Sequence, residues 1–383
     1  MLFEDIKDNP STLSSHIDTT ELKYQLALSL LPRVGFKIWH EAIKVCNSAK
    51  DLYSNPSILK KYKVLSWLYD YVLRQDGLTT AEKILLSHAR VNVEVISYFA
   101  DTYPHRLRHI SDPPCFVYKR GGDLNTLRMI SIVGTREASQ YGKDVVAGIV
   151  KGLRTYDVTI ISGLAYGIDA IAHRESLRNG ICTVGIIAGG IDKLYPNSHK
   201  PLCEDMIKAG GAVATESPLG VTPENYLFPR RNRIIAGCSD AVLIVEAGLK
   251  SGALITGVCA NDYDREVLAI PGDVYRTTSE GCNAMIRDNK AHLVTCAEDI
   301  AEIMNWTRNK TEEEKTDHTT QVSLQGQEKI IFDIIKDNPK IHVDTIAERS
   351  NITDYKLANI LLQLELDNLI DLLPGDKYKI HNQ

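Results

Sequence analysis

The residues best suited to bind a ligand follow predicted strands. Gly134, Thr135 and Arg136 come directly after one apolar run, and Ser162 and Gly163 come directly after the next. Glycine lets the backbone approach a ligand closely, and the free amides of a helix N-terminus attract anions. Any strand-to-helix turn favours glycine. However, the carboxyl ends of parallel strands meet at one edge of a sheet, so several such turns together predict a phosphate-binding cleft.

A second cationic element begins a later predicted helix. Arg230, Arg231, Asn232 and Arg233 follow Phe228-Pro229. Arginine binds phosphate oxygens bidentately, and an aromatic ring offers a surface on which a base can stack. The structural alternative is a salt-bridged helix start. Arginines at a helix N-terminus oppose the helix dipole, and this locally unfavourable choice favours a ligand-binding role.

Further polar residues lie near these turns. Asp169 and His173 are four residues apart on one predicted helix and therefore share a face. With Glu216 or Glu246 they could form an acid–base or metal site, but no third ligand stands at a diagnostic spacing. Hydrogen bonding within the scaffold is the favoured interpretation, and we expect no metal and no cofactor. Lys200 follows a loop and is placed to reach a phosphate.

The common nucleotide fingerprints are absent. The first strand-to-helix turn, Gly134–Ser139, has arginine where G-x-G-x-x-G requires its second glycine. The chain also lacks the G-x-x-x-x-G-K-[ST] pattern of a P-loop. Dinucleotide binding of the usual kind and P-loop hydrolysis are therefore disfavoured.

These turns require a parallel sheet to position them. Short apolar runs rich in β-branched residues alternate with helical stretches, which indicates strands covered on both faces. The predicted strands are Met129–Val133, Val158–Ile161, Thr183–Ile187, Ala212–Ala214, Ala241–Val245 and Val267–Ile270. The fold class is therefore α/β, an extended Rossmann-like, doubly wound parallel sheet.

Two smaller domains are predicted at the flanks. Residues 1–90 have helical periodicity interrupted at Leu31–Gly35, which resembles helix–hairpin–helix or SAM-like units, although a purely structural helical domain is the simpler interpretation. Residues 91–304 form the Rossmann-like domain, and the charged stretch 305–325 is a predicted linker. The last domain, residues 326–383, is a predicted winged helix. Its predicted elements are helices Glu328–Asp337, His342–Ser350 and Asp354–Asn368 and strands Leu369–Leu373 and Lys377–Ile380.

Composition sets the remaining limits. The 383 residues include 44 Lys and Arg against 49 Asp and Glu, a net charge of −5 that argues against bulk attraction to nucleic acid but leaves room for a local groove. No apolar run approaches the roughly 20 residues of a membrane span. The eight cysteines form no C-x-x-C pair, as in proteins of a reducing compartment. We therefore expect a soluble cytoplasmic protein without a membrane partner.

Long motifs in a fixed order resemble the DNA-processing family DprA, also called Smf. The segments that carry the resemblance are Tyr103–Pro114, Ile132–Arg136, Ser162–His173, Tyr195-Pro196, Phe228–Ile235, Ser251–Thr256 and Pro271-Gly272. The resemblance implies a non-enzymatic mediator of natural transformation that binds and protects incoming single-stranded DNA. It further implies loading of a RecA-type recombinase and a homodimer. The DNA-binding roles that it transfers fall on Gly134, Thr135, Arg136, Ser162, Gly163, Lys200, Arg231, Asn232 and Arg233.

Two other functions remain as alternatives. Related Rossmann-like enzymes that process nucleotides carry P-G-G-x-G-T-x-x-E, which Glu246–Thr256 lacks. A winged-helix transcription factor would bind duplex DNA through residues 326–383. That region holds seven Lys and Arg against ten Asp and Glu, and its third helix is acidic, which favours a protein-contact or regulatory role.

Overall fold

The computed structural model describes residues 19–308, 326–338, 340–350, 352–366 and 369–380. The chain divides into two compact units, Met1–Asn309 and Lys310–Gln383. Most of the predicted linker, residues 309–325, lies outside the described residues. The two units are described separately below.

The first unit is built on a nine-stranded sheet within residues 19–308. Its strands are β1 (Glu94–Ser97), β2 (Phe116–Gly121), β3 (Arg128–Gly134), β4 (Val158–Ser162), β5 (Thr183–Ile186), β6 (Ala212–Thr215), β7 (Ala241–Val245), β8 (Glu266–Ala269) and β9 (His292–Leu293). They lie in the order β1-β2-β6-β5-β4-β3-β7-β8-β9. Strands β3 to β9 are parallel, and β1 and β2 add an antiparallel edge. All six predicted strands are confirmed, whereas β1, β2 and β9 were not predicted.

Helices cover both faces of this sheet. The helices of the first unit are α1 (Thr19–Ser29), α2 (Phe36–Lys44), α3 (Ala49–Ser54), α4 (Tyr69–Leu73), α5 (Leu78–Arg90), α6 (His105–Arg108), α7 (Gln140–Leu153), α8 (Ile168–Arg178), α9 (Lys200–Lys208), α10 (Leu227–Gly237), α11 (Gly252–Asp262), α12 (Glu280–Arg287) and α13 (Ala297–Ile303). Helices α10 to α12 share one apolar core with the sheet, and α7, α8 and α13 share another. The doubly wound α/β fold is therefore confirmed.

The central strand β3 shows why the sequence forms this fold. Every residue from Met129 to Val133 is buried, as expected of a strand with helices on both faces. Strand β3 pairs with β4 on one side and with β7 on the other. The chain adds strands in one direction from β3 to β6 and then returns to the other side of β3. This reversal is a topological switch point, where open α/β sheets bind ligands beyond the carboxyl ends of the strands.

The N-terminal helices pack against the antiparallel edge. The fully buried Trp39 of α2 contacts Phe116 of β2, with 5.5 Å between ring centroids. One apolar cluster contains residues of α1 to α5 together with β1 and β2, so these helices and the edge of the sheet share a core. The break predicted at Leu31–Gly35 separates α1 from α2.

The second unit is a winged helix. It contains helices α14 (Gln327–Asp337), α15 (Val343–Ser350) and α16 (Asp354–Leu366) and an antiparallel sheet of β10 (Ile341–His342), β12 (Lys377–Ile380) and β11 (Ile370–Leu373) in that spatial order. Ile331, Ile335, Ile346, Leu357 and Leu361 form the centre of its core. The three predicted helices and both strands of the predicted wing are present. The short strand β10 was not predicted.

Candidate functional site

A cleft of about 640 Å³ opens at the switch point, beyond the carboxyl ends of β3 and β7. Five predicted site residues line it: Gly134, Thr135, Arg136, Arg231 and Asn232. Strand pairing holds the first of these turns in place, because the amide of Thr135 donates to the carbonyl of Glu246 at 2.7 Å. A Cβ on Gly134 would lie 1.9 Å from the carbonyl oxygen of Val245. Glycine is therefore required here for β3 to approach β7.

The cleft also contains polar residues that sequence reasoning did not select. Lys250 and Ser251 form the turn into α11, and Thr277 and Thr278 also line the cleft. Lys250 is exposed, and it forms no ion pair within the described parts of the chain. The signal that could have identified it is its position directly before Ser251-Gly252, which begins α11 in the way that anion-binding turns begin helices.

Aromatic side chains form a shelf beside the cleft. Tyr166, Tyr195 and Phe228 surround a smaller depression together with Arg136 and Gly163. The guanidinium carbon of Arg136 lies 5.7 Å from the ring centroid of Phe228, and the ring centroids of Phe228 and Tyr195 are 5.9 Å apart. Tyr166 and Tyr195 are about half exposed, at 47% and 53%. We call Tyr166, Tyr195 and Phe228 the aromatic shelf.

Arg231 forms the floor of the cleft. Its side chain is buried, and Nη1 donates to the carbonyl of Gly163 at 2.6 Å and to that of Ile186. Burial lowers the pKa of Arg231 to about 10, a value at which it stays protonated at neutral pH. The carboxylate of Asp169 accepts from the amides of Gly163 and Ala165 and interacts with this guanidinium. Arg231 therefore holds strand ends together, and its guanidinium is already engaged by the protein.

The structure does not bring three predicted residues into this cleft. The hydroxyl of Ser162 is fully buried and donates to the carbonyl of Ile132 at 2.6 Å. Arg233 is buried in an ion pair with Glu216 and donates to the carbonyl of Asp112. Arg230 pairs through Nε with Glu216 at 2.9 Å, beside a separate cavity. The two arginines are kept out of the cleft because residues 230 and 233 lie on the opposite side of α10 from residue 231.

Two further predicted residues, Lys200 and Gly163, also lie outside the cleft. Lys200 is half-buried at the start of α9 and lines neither the cleft nor the depression at the aromatic shelf. Gly163 borders that depression, and a Cβ there would lie 2.6 Å from a carboxylate oxygen of Asp169 and 2.8 Å from Nη2 of Arg231. Gly163 thus lets the Asp169–Arg231 pair approach the backbone.

The acidic residues and His173 serve the scaffold, as the sequence favoured. Nδ1 of His173 donates to the hydroxyl of Thr183, 2.7 Å away, because that hydroxyl itself donates to the carbonyl of Ile160. Burial lowers the pKa of His173 to about 3, so the ring is neutral at physiological pH. Glu246 accepts from both the amide and the hydroxyl of Ser139, at the start of α7. Glu216 is held by Arg230 and Arg233, and burial raises its pKa.

The described residues contain no group of three or more His, Cys, Asp or Glu side chains that could hold a metal ion. No helix in the same parts of the chain is long and apolar enough to cross a membrane.

Fold and site together define a Rossmann-like protein with a polar cleft at its switch point and a winged-helix unit. Residues 94–305 match the family model of DNA recombination-mediator protein A, and residues 315–376 match that of the DprA winged helix domain. The chain belongs to the DprA (Smf) family. Its role is therefore that of a DNA recombination mediator.

Individual relatives agree with this assignment. Protein Smf of Escherichia coli is 35% identical over 324 residues, which cover 79% of this chain and 85% of that protein. The DNA processing protein DprA of Bacillus subtilis is 36% identical over 57% of this chain and 74% of its own length. The crystal structure of DprA from Streptococcus pneumoniae matches with a TM-score of 0.62 at 29% identity and covers 75% of this chain and 97% of that one. A Helicobacter pylori DprA structure, described for its single-stranded DNA binding mode, shares the fold at 24% identity, with a TM-score of 0.50 and coverage of 56% of this chain and 97% of that chain.

Proposed function

We propose that this protein binds single-stranded DNA, without sequence preference, in the cleft at the switch point. The observation that carries the proposal is the position of Arg136, an exposed cation at the carboxyl end of β3 between the cleft and the aromatic shelf. Arginine forks bind phosphate, and bases of any identity stack on aromatic rings. The DprA structure described for single-stranded DNA binding supports the same function.

Each part of the cleft has a distinct role in this proposal. Arg136 and Lys250 supply positive charge to the lining of the cleft, and the backbone of Gly134 and Thr135 allows close approach of the strand. Asn232 links α10 to α11, because its side-chain amide donates to the carbonyl of Gly252 at the start of α11. Arg231 contributes by fixing the turns rather than by direct contact.

Membership of the DprA family supports a proposal for the wider activity. We propose that the protein acts in the bacterial cytoplasm during natural transformation, protects the incoming strand, and loads a RecA-type recombinase as a homodimer. No catalytic step is included, because the acidic side chains near the cleft are hydrogen-bonded within the scaffold. Reconstitution would test the activity: the protein should accelerate assembly of a RecA-type recombinase on a strand already coated by single-strand-binding protein.

The direct test is a charge reversal in the cleft. We expect Arg136→Glu to weaken binding of a labelled dT oligonucleotide by ten- to a hundredfold, as loss of a charge-assisted phosphate contact implies. Fluorescence anisotropy at physiological salt measures this change. Arg178→Glu is the matched control, since Arg178 is exposed near the carboxyl end of α8, at the opposite edge of the sheet. Equal binding by wild type and Arg136→Glu would refute the proposed site.

A further inference from the structure

The first unit contains a second large cavity, which is separate from the cleft. Its volume is about 540 Å³, within the range of small-molecule binding sites. One wall comes from the connection between α1 and α2 at Leu30 and Val34–Phe36, and another comes from Asp112–Phe116. We call this space the α2 cavity. It lies within the compact unit that also holds the DNA-binding cleft.

Helix α10 separates the α2 cavity from the cleft. Phe228, Arg231 and Asn232 line the cleft, whereas Arg230 and Arg233 line the α2 cavity. Successive residues of an α-helix are about 100° apart, so these two groups project from opposite sides of α10. Only the thickness of one helix, about 10 Å, lies between the two spaces. A strand that leaves the cleft at the N-terminal end of α10 therefore needs to cross only that helix.

The lining of the α2 cavity suits a planar base. Leu30, Val34, Phe36, Phe116 and the adjoining prolines provide apolar and aromatic walls. Nucleobases in single strands are recognised by stacking on aromatic rings and guanidinium planes. A cavity of this volume has room for one base with its sugar.

The charges around the α2 cavity suit the phosphate next to that base. Glu216 is already paired with both Arg230 and Arg233, so its carboxylate does not make the cavity anionic. Asp112 likewise accepts from the hydroxyl of Tyr263 and lies 3.6 Å from Nε of Arg233. The guanidinium of Arg230 uses Nε for Glu216, and 59% of its side chain is exposed. Arg33 and Lys37, which flank Val34–Phe36 in sequence, are exposed cations.

We propose that a nucleobase of the bound single strand inserts into the α2 cavity, with its phosphate on Arg230. This inference rests on the proposed function, because it extends the path of the strand from the cleft across the N-terminal end of α10. Tyr226, which directly precedes α10 and is 63% exposed, lies on that path. The α1–α2 connection thereby becomes part of the DNA-binding surface.

Photocrosslinking tests the path one nucleotide at a time. A set of oligonucleotides of one sequence carries a single 5-iodouracil at successive positions, which couples to an adjacent aromatic side chain on irradiation. Mass spectrometry of the digested full-length protein then locates each adduct. We expect adducts on Tyr195 or Phe228 from one group of positions and adducts on Phe36 or Phe116 from positions a few nucleotides away.

The two proposals fail in different ways in this experiment. Adducts on the aromatic shelf without any at Phe36 or Phe116 would overturn the α2 cavity as a base site and leave the cleft intact. An absence of adducts at every position would contradict the proposed function itself. Adducts at both places support both proposals.

A cavity-filling variant provides the independent measurement. Val34→Phe places a larger side chain in the α2 cavity and is expected to remove the Phe36 and Phe116 adducts while those on the aromatic shelf remain. Binding of a long oligonucleotide should weaken three- to tenfold. Val64→Phe is the matched control, because Val64 is 68% exposed in the same helical region and lines none of the cavities described above. Retention of the Phe36 or Phe116 adducts in the folded Val34→Phe protein would overturn the inference.

Discussion

The arginines in and near α10 differ in whether the protein already engages their guanidinium groups. Arg136 is exposed beside the aromatic shelf, whereas Arg231 is buried against the carbonyls of Gly163 and Ile186. Arg233 is locked to Glu216. Removing an exposed cation should change binding alone, and removing a buried one should first change stability.

Arg231→Met tests the scaffold role. Breaking a buried ion pair leaves Asp169 uncompensated and two carbonyls without their donor, which costs about 3–5 kcal/mol. We expect a loss of that size in the free energy of unfolding, measured by urea denaturation. Arg136→Gln should leave unfolding within about 0.5 kcal/mol of wild type. The double variant Arg231→Met with Asp169→Asn should recover part of the loss, and strict additivity would argue against the pairing.

The buried His173 leads to a prediction about how stability changes at acid pH. Burial lowers its pKa to about 3 in the folded protein, against about 6.5 when unfolded. Between pH 3 and pH 6.5 the unfolded chain therefore binds a proton that the folded chain does not. The free energy of unfolding is unaffected by His173 above pH 6.5 and falls as the pH is lowered toward 3. His173→Asn, which keeps a donor for Thr183, should remove a slope of up to about 1.4 kcal/mol per pH unit. Denaturation at pH 5 and 7 measures it, and an unchanged slope would contradict the assignment.

Five cleft residues could be selected from the sequence, but the roles of the arginines could not. Gly134, Thr135 and Arg136 could be predicted because they follow a strand whose end is clear from its apolar run. Arg230 and Arg231 are adjacent and chemically identical, so their types carry no information about which one is buried. Which arginine is buried depends on partners that are distant in sequence: Glu216 for Arg230 and the carbonyl of Gly163 for Arg231.

At the scale of elements, the contact between β3 and β7 positions the cleft. The paired register Gly134–Val245 brings the turn before Arg136 next to the turn that leads to Lys250. Strands β3 to β8 could be predicted because each coincides with an apolar run. Strand β9 could not, because it contains only two residues and both are exposed.

Gly134→Ala tests this contact between elements. Because the new Cβ would meet the carbonyl oxygen of Val245 at 1.9 Å, β3 and β7 must separate, and we expect about 3 kcal/mol of destabilisation together with weaker DNA binding. The matched control is Gly148→Ala in α7, where a Cβ meets nothing within 4 Å. That change should stabilise the protein by about 0.5–1 kcal/mol, since alanine favours helix interiors. Equal thermal stability of the two variants would disprove the steric argument.

The whole molecule combines a net charge of −5 with a locally cationic cleft. Both walls of the cleft, the aromatic shelf and the α2 cavity belong to the first unit. The winged helix instead has a groove of about 430 Å³ lined by leucines, Tyr378 and the carboxylates of Asp344 and Glu365. Acidic side chains repel the phosphate backbone, so this groove suits a protein contact better than DNA.

The position of every cleft residue in the first unit leads to a prediction for a shortened chain. A protein that ends at residue 308 retains both cores of the sheet and every cleft residue. We expect it to bind single-stranded DNA within about twofold of the full chain. Its affinity should fall with salt at the same slope, about −0.7 for each phosphate that a cation neutralises. Anisotropy titrations at several salt concentrations compare the two proteins, with circular dichroism as the control for folding. A tenfold loss of affinity or a shallower slope in the folded, shortened protein would mean that the winged helix itself contacts the strand.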